Sequence, residues 1–261
     1  MIEAYLAFLF GLLIGSFLNV CIYRWPRDLS VVRPRSHCVG CGKLIAWYDN
    51  VPLLSWLLLR GRCRYCRTRI SWRYPMVELL TGLLFSYFAV QSGTTLAALK
   101  MCAFGAILIA LIFSDLEQRI LPDEFTVGGT ALGLIFASFV APPEGLAQLF
   151  VSGRKGWLLE AALGAAVPAF VLWLAGWLYQ RLRRREGLGL GDVKLVAMVG
   201  SFLGLQGALL TLVVGSLAGS VIGLSYIRLT RKDWRTYELP LGTFLGVAAL
   251  AIGVVLNRPG V

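Results

Sequence analysis

The sequence predicts an all-α polytopic membrane protein of about eight transmembrane helices, with a small cytoplasmic zinc-binding insert of short β-hairpin knuckles between the first two. Three observations carry that expectation. Of 261 residues, 57% are hydrophobic and 15% are charged, whereas soluble domains are near half apolar and about a quarter charged. Apolar runs recur close to the ~20 residues that a membrane-crossing helix needs. Basic residues collect in short stretches between those runs, and one such stretch holds four cysteines.

The first apolar run, 4–23, has no basic residue before it and no small-residue cleavage site after it. Arg24-Trp-Pro-Arg27 follows instead, so the run reads as a retained helix rather than a signal peptide. The remaining runs are 75–91, 95–114, 126–141, 157–179, 190–204, 207–227 and 239–256. Two of them, 126–141 and 190–204, are short for a straight crossing. Short or glycine-broken segments inside a membrane protein often line a polar cavity, where irregular backbone is tolerated. The expected organisation is a first helix over 1–23, a cysteine-bearing insert over 24–74 and a membrane core over 75–261.

The net charge of +11 is unevenly spread. Residues 24–73 hold eleven Arg or Lys against Asp28 and Asp49, residues 181–185 hold four Arg, and 228–235 hold Arg228, Arg231, Lys232 and Arg235. An excess of basic residues in short loops marks the cytoplasmic side. With eight crossings these three regions share one side with the 115–125 loop, and the N-terminus lies outside. The opposite loops, 92–94, 205–206 and the tail after 257, are nearly free of charge; Arg154 and Lys155 are the exception. This bias accounts for the basic loops, so the expected partner of the surface is membrane lipid and no nucleic acid.

Cys38-Val-Gly-Cys41 and Cys63-Arg-Tyr-Cys66 are two C-x2-C pairs separated by 21 residues. Each pair makes a tight turn, or knuckle, that points two thiolates at one spot, and two knuckles supply the four soft ligands of a tetrahedral zinc. Disulfides are disfavoured because the charge places this loop in the reducing cytosol. A roughly fifty-residue insert has little core, so a bound metal would supply much of its folding free energy. His37, the single histidine, adjoins a ligand and reads as a bystander. Cys21 and Cys102 fall inside helices and read as small apolar side chains.

Asp115 ends one apolar run and Asp192 begins another, so both lie at the cytoplasmic membrane boundary. A carboxylate near bilayer depth costs a few kcal/mol or more, which makes it a functional-site candidate with a partner to be found. Two such carboxylates sharing a proton can cleave a peptide. One activates water; the other, protonated, binds the carbonyl oxygen and helps to protonate the leaving amine. Gly189 and Gly191 would let a substrate backbone come close to Asp192. The spacing equally fits solvated helix-end carboxylates, with Asp192 as an anion favoured by a helix dipole. Asp123 and Glu117 compete for the role of Asp115, although Asp123 follows Pro122 and also suits the start of a helix. Lys194 would set the local potential or meet a lipid phosphate. A proton-coupled transporter and a non-catalytic zinc-ribbon scaffold are the other functions compatible with these residues.

The chain also carries Gly15-Ser-Phe-Leu-Asn19-Val, Tyr23-Arg24-Trp-Pro26, Asn50-Val-Pro52 inside the cysteine loop and Tyr74-Pro75-Met-Val-Glu78-Leu. Leu121-Pro122-Asp123 follows Asp115. Gly189-Leu-Gly191-Asp192-Val-Lys194 and Leu239-Pro240-Leu-Gly242 come later in the chain. In this order they resemble the bacterial type IV prepilin peptidases, the leader peptidase/N-methyltransferases also used by type II secretion. The resemblance implies an intramembrane G-x-G-D aspartic protease of the bacterial inner membrane, with Asp115 and Asp192 as its catalytic pair. It implies prepilin or pseudopilin substrates cut after a glycine that ends a short basic leader. The new N-terminus would then be methylated from S-adenosylmethionine, with the cysteine domain taking part. The chain departs from the family at Ser114, Glu117, Leu241 and Thr243, changes that bear on substrate preference more than on the two carboxylates. No glycine-rich strand–helix fingerprint places the S-adenosylmethionine site.

Overall fold

The computed structural model describes residues 1–142, 145–184, 188–230 and 239–257. Arg185, Arg231, Lys232 and Arg235 of the basic loops and Gly187 ahead of the Gly189 motif lie outside the described residues. Every regular element among the described residues is a helix, as an apolar chain must arrange when lipid offers its backbone no hydrogen bonds. The chain divides into two compact units, Met1–Phe113 and Ser114–Val261.

The first unit contains α1 (Ile2–Arg24), the short α2 (Leu54–Leu58), α3 (Arg73–Ser92) and most of α4 (Leu96–Gln118). Helices α1 and α3 touch through backbone. A methyl group added at Gly11 would lie 2.8 Å from the Gly82 Cα, and one at Gly15 would lie 2.7 Å from the Glu78 Cα. Residue numbers rise along α1 as they fall along α3, so the two run antiparallel. Small residues permit this approach where no hydrophobic effect drives helices together in lipid. The insert therefore leaves α1 and re-enters α3 at the same end of the pair. Glu78, 7% exposed, ties it down by accepting the Leu53 N–H at 2.8 Å. The two cysteine knuckles are closed by single antiparallel bridges, His37–Leu44 and Arg62–Arg69, rather than by the short hairpin strands the sequence suggests. Each knuckle closes on itself within six residues, which leaves room for one rung of pairing.

The second unit holds the end of α4, then α5 (Asp123–Ala137), α6 (Ala147–Phe150), α7 (Arg154–Arg183), α8 (Leu190–Thr230) and α9 (Leu241–Leu256). At 41 residues, α8 would be about 60 Å long if straight, twice the hydrocarbon thickness of roughly 30 Å. It is broken at Gly204, where φ is 74° and ψ −174°, a conformation open to glycine. Leu239 packs over Gly223 and also lines a cavity with Asp192. In a straight helix those two residues would be about 46 Å apart. The chain therefore doubles back at Gly204, where the sequence places a turn between two runs. Glu160 of α7, 1% exposed, secures the break: it accepts the Leu205 N–H at 2.9 Å and the Ala147 N–H at 2.8 Å.

Among the described residues four helices are long and apolar enough to cross a membrane, namely α1 with its extension to Arg27, α4, α7 and α8. The other three long ones fall short of that mark: α3 mixes Glu78, Thr81, Ser86, Tyr87 and Gln91 among its apolar residues, α5 has 15 residues and α9 has 16. The chain is thus a helical membrane protein, with fewer self-evident spans than apolar runs.

Gly164 of α7 and Gly200 of α8 meet so closely that a Cβ on Gly200 would overlap the Gly164 carbonyl, whereas one on Gly128 would meet nothing. Gly200→Ala is expected to destabilise the protein by about 1–3 kcal/mol in detergent melting, and Gly128→Ala to leave the midpoint unchanged or raised. Equal midpoints would refute the α7–α8 contact.

Candidate active site and metal centre

Four helix ends in the second unit, the end of α4 and the starts of α5, α8 and α9, converge on one cavity of about 350 Å³. The α4 end supplies Asp115. That helix stops at Gln118 because Arg119 adopts a left-handed conformation (φ 56°) and donates its N–H to the Asp115 carbonyl at 3.0 Å, a common helix-ending geometry. Ser114 holds the following turn by donating its hydroxyl to the Ile120 carbonyl at 2.8 Å. The α8 start supplies Gly189, Gly191 and Asp192, with the Asp192 N–H bonded to the Gly189 carbonyl. The α5 start supplies Asp123, placed in the first turn by Pro122, whose carbonyl accepts the Thr126 N–H. Gly191 has a steric task here, since a Cβ on it would press within 3.2 Å of Leu121.

Asp115 is buried, at 6% exposure. Its Oδ2 accepts two hydrogen bonds from Thr243, one from the backbone N–H at 2.6 Å and one from the hydroxyl at 2.7 Å. Asp192 lines the same cavity, and among the described residues no hydrogen bond engages its carboxylate. Asp123 and Lys194 also reach the rim, where they form an exposed ion pair with Lys194 Nζ 2.7 and 2.8 Å from the two carboxylate oxygens. This pair gives Lys194 an anion on the protein itself. It also removes Asp123 as a mere helix cap, because its carboxylate points to Lys194 and Pro122 occupies the cap position.

Of the candidates named from the sequence, Asp115, Asp123, Gly189, Gly191, Asp192 and Lys194 line one cavity, whereas Glu117 is exposed and is not among its lining residues. The sequence reads Thr243 as a departure from a family turn that bears on substrate preference more than on the carboxylates; its two bonds to Asp115 correct that expectation. The signal that could have singled it out is its place three residues after Pro240, in the first turn of a helix where N–H groups lack internal partners.

In the first unit the thiol sulfurs of Cys38, Cys41, Cys63 and Cys66 lie within 4.8 Å of one another, and none is in a disulfide. The two knuckles repeat one hydrogen-bond scheme. Cys38 N–H donates to the Lys43 carbonyl and Gly42 N–H to the Cys38 carbonyl; Cys63 N–H donates to the Thr68 carbonyl and Arg67 N–H to the Cys63 carbonyl. Gly42 and Arg67 fill the matching left-handed position, with φ of 69° and 61°. The Thr68 hydroxyl, 3.2 Å from the Cys66 sulfur, leads in bringing that thiol down to about 6. The Lys43 N–H lowers Cys41, but burial and the other three thiols outweigh it and push Cys41 up to about 11. Four sulfurs so close cannot all be ionised without a cation among them, and they can hold a metal ion. His37 stands outside the set, with Nδ1 3.2 Å from the Arg35 carbonyl. Beside the knuckles Arg64 grips Asp49 with both Nε and Nη2, which holds the Asp49 carboxyl below its ordinary value.

Asp115 and Asp192 thus reach one cavity from separate helix ends, in a chain with helices long and apolar enough to cross a membrane. The chain belongs to the type IV leader peptidase family, whose model matches residues 102–224, while residues 9–92 match the bacterial peptidase A24 N-terminal domain. It is 42% identical over 225 residues to the prepilin leader peptidase/N-methyltransferase of Myxococcus xanthus (strain DK1622), covering 86% of this chain and 63% of that protein. Over 267 residues it is 38% identical to the prepilin leader peptidase/N-methyltransferase of Aeromonas hydrophila, covering 93% of this chain and 87% of that protein. It is also 38% identical over 262 residues to the type 4 prepilin-like proteins leader peptide-processing enzyme of Escherichia coli O78:H11, covering 92% and 90%. The chain therefore spans just under two thirds of the Myxococcus protein and nearly nine tenths of the other two. No solved structure matches the chain significantly.

The geometry separates the aspartates by stability. Asp115→Ala leaves a buried N–H without its acceptor and is expected to cost about 1–3 kcal/mol. Asp123→Ala breaks an exposed pair and is expected to cost under ~1 kcal/mol. Thermal unfolding in detergent would check this; equal losses would contradict the burial of Asp115.

Proposed function

We propose that Asp115 and Asp192 are the catalytic pair of a prepilin leader peptidase and that the four-cysteine insert, holding zinc, belongs to its N-methyltransferase half. Membership of the leader peptidase family and the names of its relatives make the chain a peptidase with N-methyltransferase activity that acts on prepilins. The observation that carries the catalytic assignment is the shared cavity, into which both carboxylates reach from separate helix ends.

In the resting pair one carboxylate is ionised and the other protonated, because close like charges disfavour joint ionisation. The ionised group takes a proton from water as the water oxygen attacks the scissile carbonyl carbon. The protonated group gives its proton to the carbonyl oxygen. The C–N bond then breaks as the first group returns a proton to the departing nitrogen, and the second recovers one from the diol oxygen. One shared proton is left, as at the start. Gly189 and Gly191 leave space beside Asp192 for the extended backbone of a leader. The freed α-amine is the acceptor for methylation, and S-adenosylmethionine, the donor implied by the methyltransferase name, supplies the methyl group.

Zinc is supported by the donor set. A tetrahedron with Zn–S bonds of about 2.3 Å separates its sulfurs by about 3.8 Å, and Cys38 and Cys66 stand 3.6 Å apart. Domain limits of 1–23, 24–74 and 75–261 keep the insert as a module, supported by the antiparallel α1–α3 pair that brackets it. Counting α8 as two crossings at Gly204 gives eight: α1, α3, α4, α5, α7, both halves of α8, and α9. The alternation then places the N-terminus outside. The insert, Asp115, Asp192 and the start of α9 fall on the cytoplasmic side, where the basic loops also fall and the membrane surface lipids are the neighbours. The transporter and scaffold alternatives leave membership of the leader peptidase family unexplained.

In a detergent cleavage assay with a prepilin, Asp115→Asn and Asp192→Asn are each expected to lower the rate at least about 100-fold while the fold is kept. Parental cleavage by either single variant would dissolve the pair and direct attention to Asp123. Purified protein is expected to contain about one zinc per chain by metal analysis. The Cys63→Ser, Cys66→Ser double variant should lose that zinc and methylate precleaved pilin poorly. Normal methylation by the metal-free variant would separate the insert from that reaction.

A further inference from the structure

We propose that Thr243 is a positioning residue of the peptidase, orienting Asp115 and confining its exchangeable proton to Oδ1. The inference rests on Asp115 being one of the catalytic pair. Helix α9 begins at Leu241 behind Pro240, so the Thr243 N–H belongs to the first turn, whose N–H groups have no carbonyl one turn earlier to bond. Asp115, a carboxylate from another helix, accepts that N–H at 2.6 Å. The hydroxyl of the same residue reaches the same oxygen at 2.7 Å. Close approach is possible because residue 242 is glycine; a Cβ there would lie 3.2 Å from both Cγ and Oδ2 of Asp115.

A backbone N–H is a donor with no lone pair to offer. Oδ2 is therefore committed as an acceptor, and whatever proton Asp115 carries through the cycle sits on Oδ1. Two donors converging on one oxygen also fix the rotation of the carboxyl group, so Oδ1 has a set direction in the cavity. An acceptor that merely capped α9 would need the N–H alone. The added hydroxyl bond at a group that must exchange protons is what points to catalysis. Asp192 has no such clamp among the described residues, which makes the two aspartates unequal: one held, one adjustable.

The test measures kcat and KM for prepilin cleavage in full-length protein, with Thr243→Val, Thr243→Ser and Asp115→Asn beside the parent. Valine keeps the shape and the N–H but removes the hydroxyl, while serine keeps both donors. Thr243→Val is expected to lower kcat by about 10- to 100-fold, the effect of one hydrogen bond to a charged group, with KM within about twofold. Thr243→Ser should stay within about threefold of the parent in both constants. If the valine variant does not fold, as judged by its melting transition, Thr243→Ala takes its place with the same expectation. Parental kcat for the hydroxyl-free variant, or an equal fall in the serine variant, would overturn the role of Thr243. Cleavage by Asp115→Asn at the parental rate would instead overturn the catalytic pair itself.

Discussion

Asp115, Glu160 and Glu78 are carboxylates withdrawn from water in a chain that is otherwise largely apolar, and each is met by backbone N–H groups at the start of a helix. Thr243 in the first turn of α9 meets Asp115. Ala147 at the start of α6 and Leu205 just beyond the α8 break meet Glu160, and Leu53 just before α2 meets Glu78. Helix starts carry unpaired donors and the positive end of the helix dipole. In lipid those donors have no water to turn to. Pairing the two problems solves both, and it fixes where the helices begin relative to one another.

The glycines serve the same constraint from the other side. Gly164 against Gly200, and Gly11 and Gly15 against α3, bring backbones to the distance at which a side chain on one helix can reach the N–H groups of another. Gly204 permits the reversal that returns the chain toward the Asp192 end, and Gly242 leaves room for the Asp115 carboxyl. Methyl groups at Gly11, Gly15, Gly164 and Gly200 would meet backbone of the facing helix at under 3.0 Å and push the helices apart.

The two compact units carry different features. The first carries the sulfur knuckles on an antiparallel helix pair, and the second carries the aspartate cavity. An exposed Lys194–Asp123 pair at the cavity rim contributes charge and shape rather than stability. The buried Thr243–Asp115 contact has no solvent to replace it.

Much of the site was legible in the chain before any coordinates. The paired C-x2-C motifs reveal themselves by spacing, because a knuckle is a local turn and two of them make a ligand set. Asp115, Asp192 and their flanking glycines are legible because charge at membrane depth is costly and therefore rare. The apolar runs likewise mark the helices, down to the interruption near 204. Only the tertiary structure decided that Lys194 pairs with Asp123, that the knuckles close with single bridges, and that Thr243 holds Asp115. Residues 115 and 243 are 128 positions apart. Which first-turn N–H meets which carboxylate depends on how glycine-lined helices slide and rotate against one another, and helical periodicity along one segment carries no information about that register.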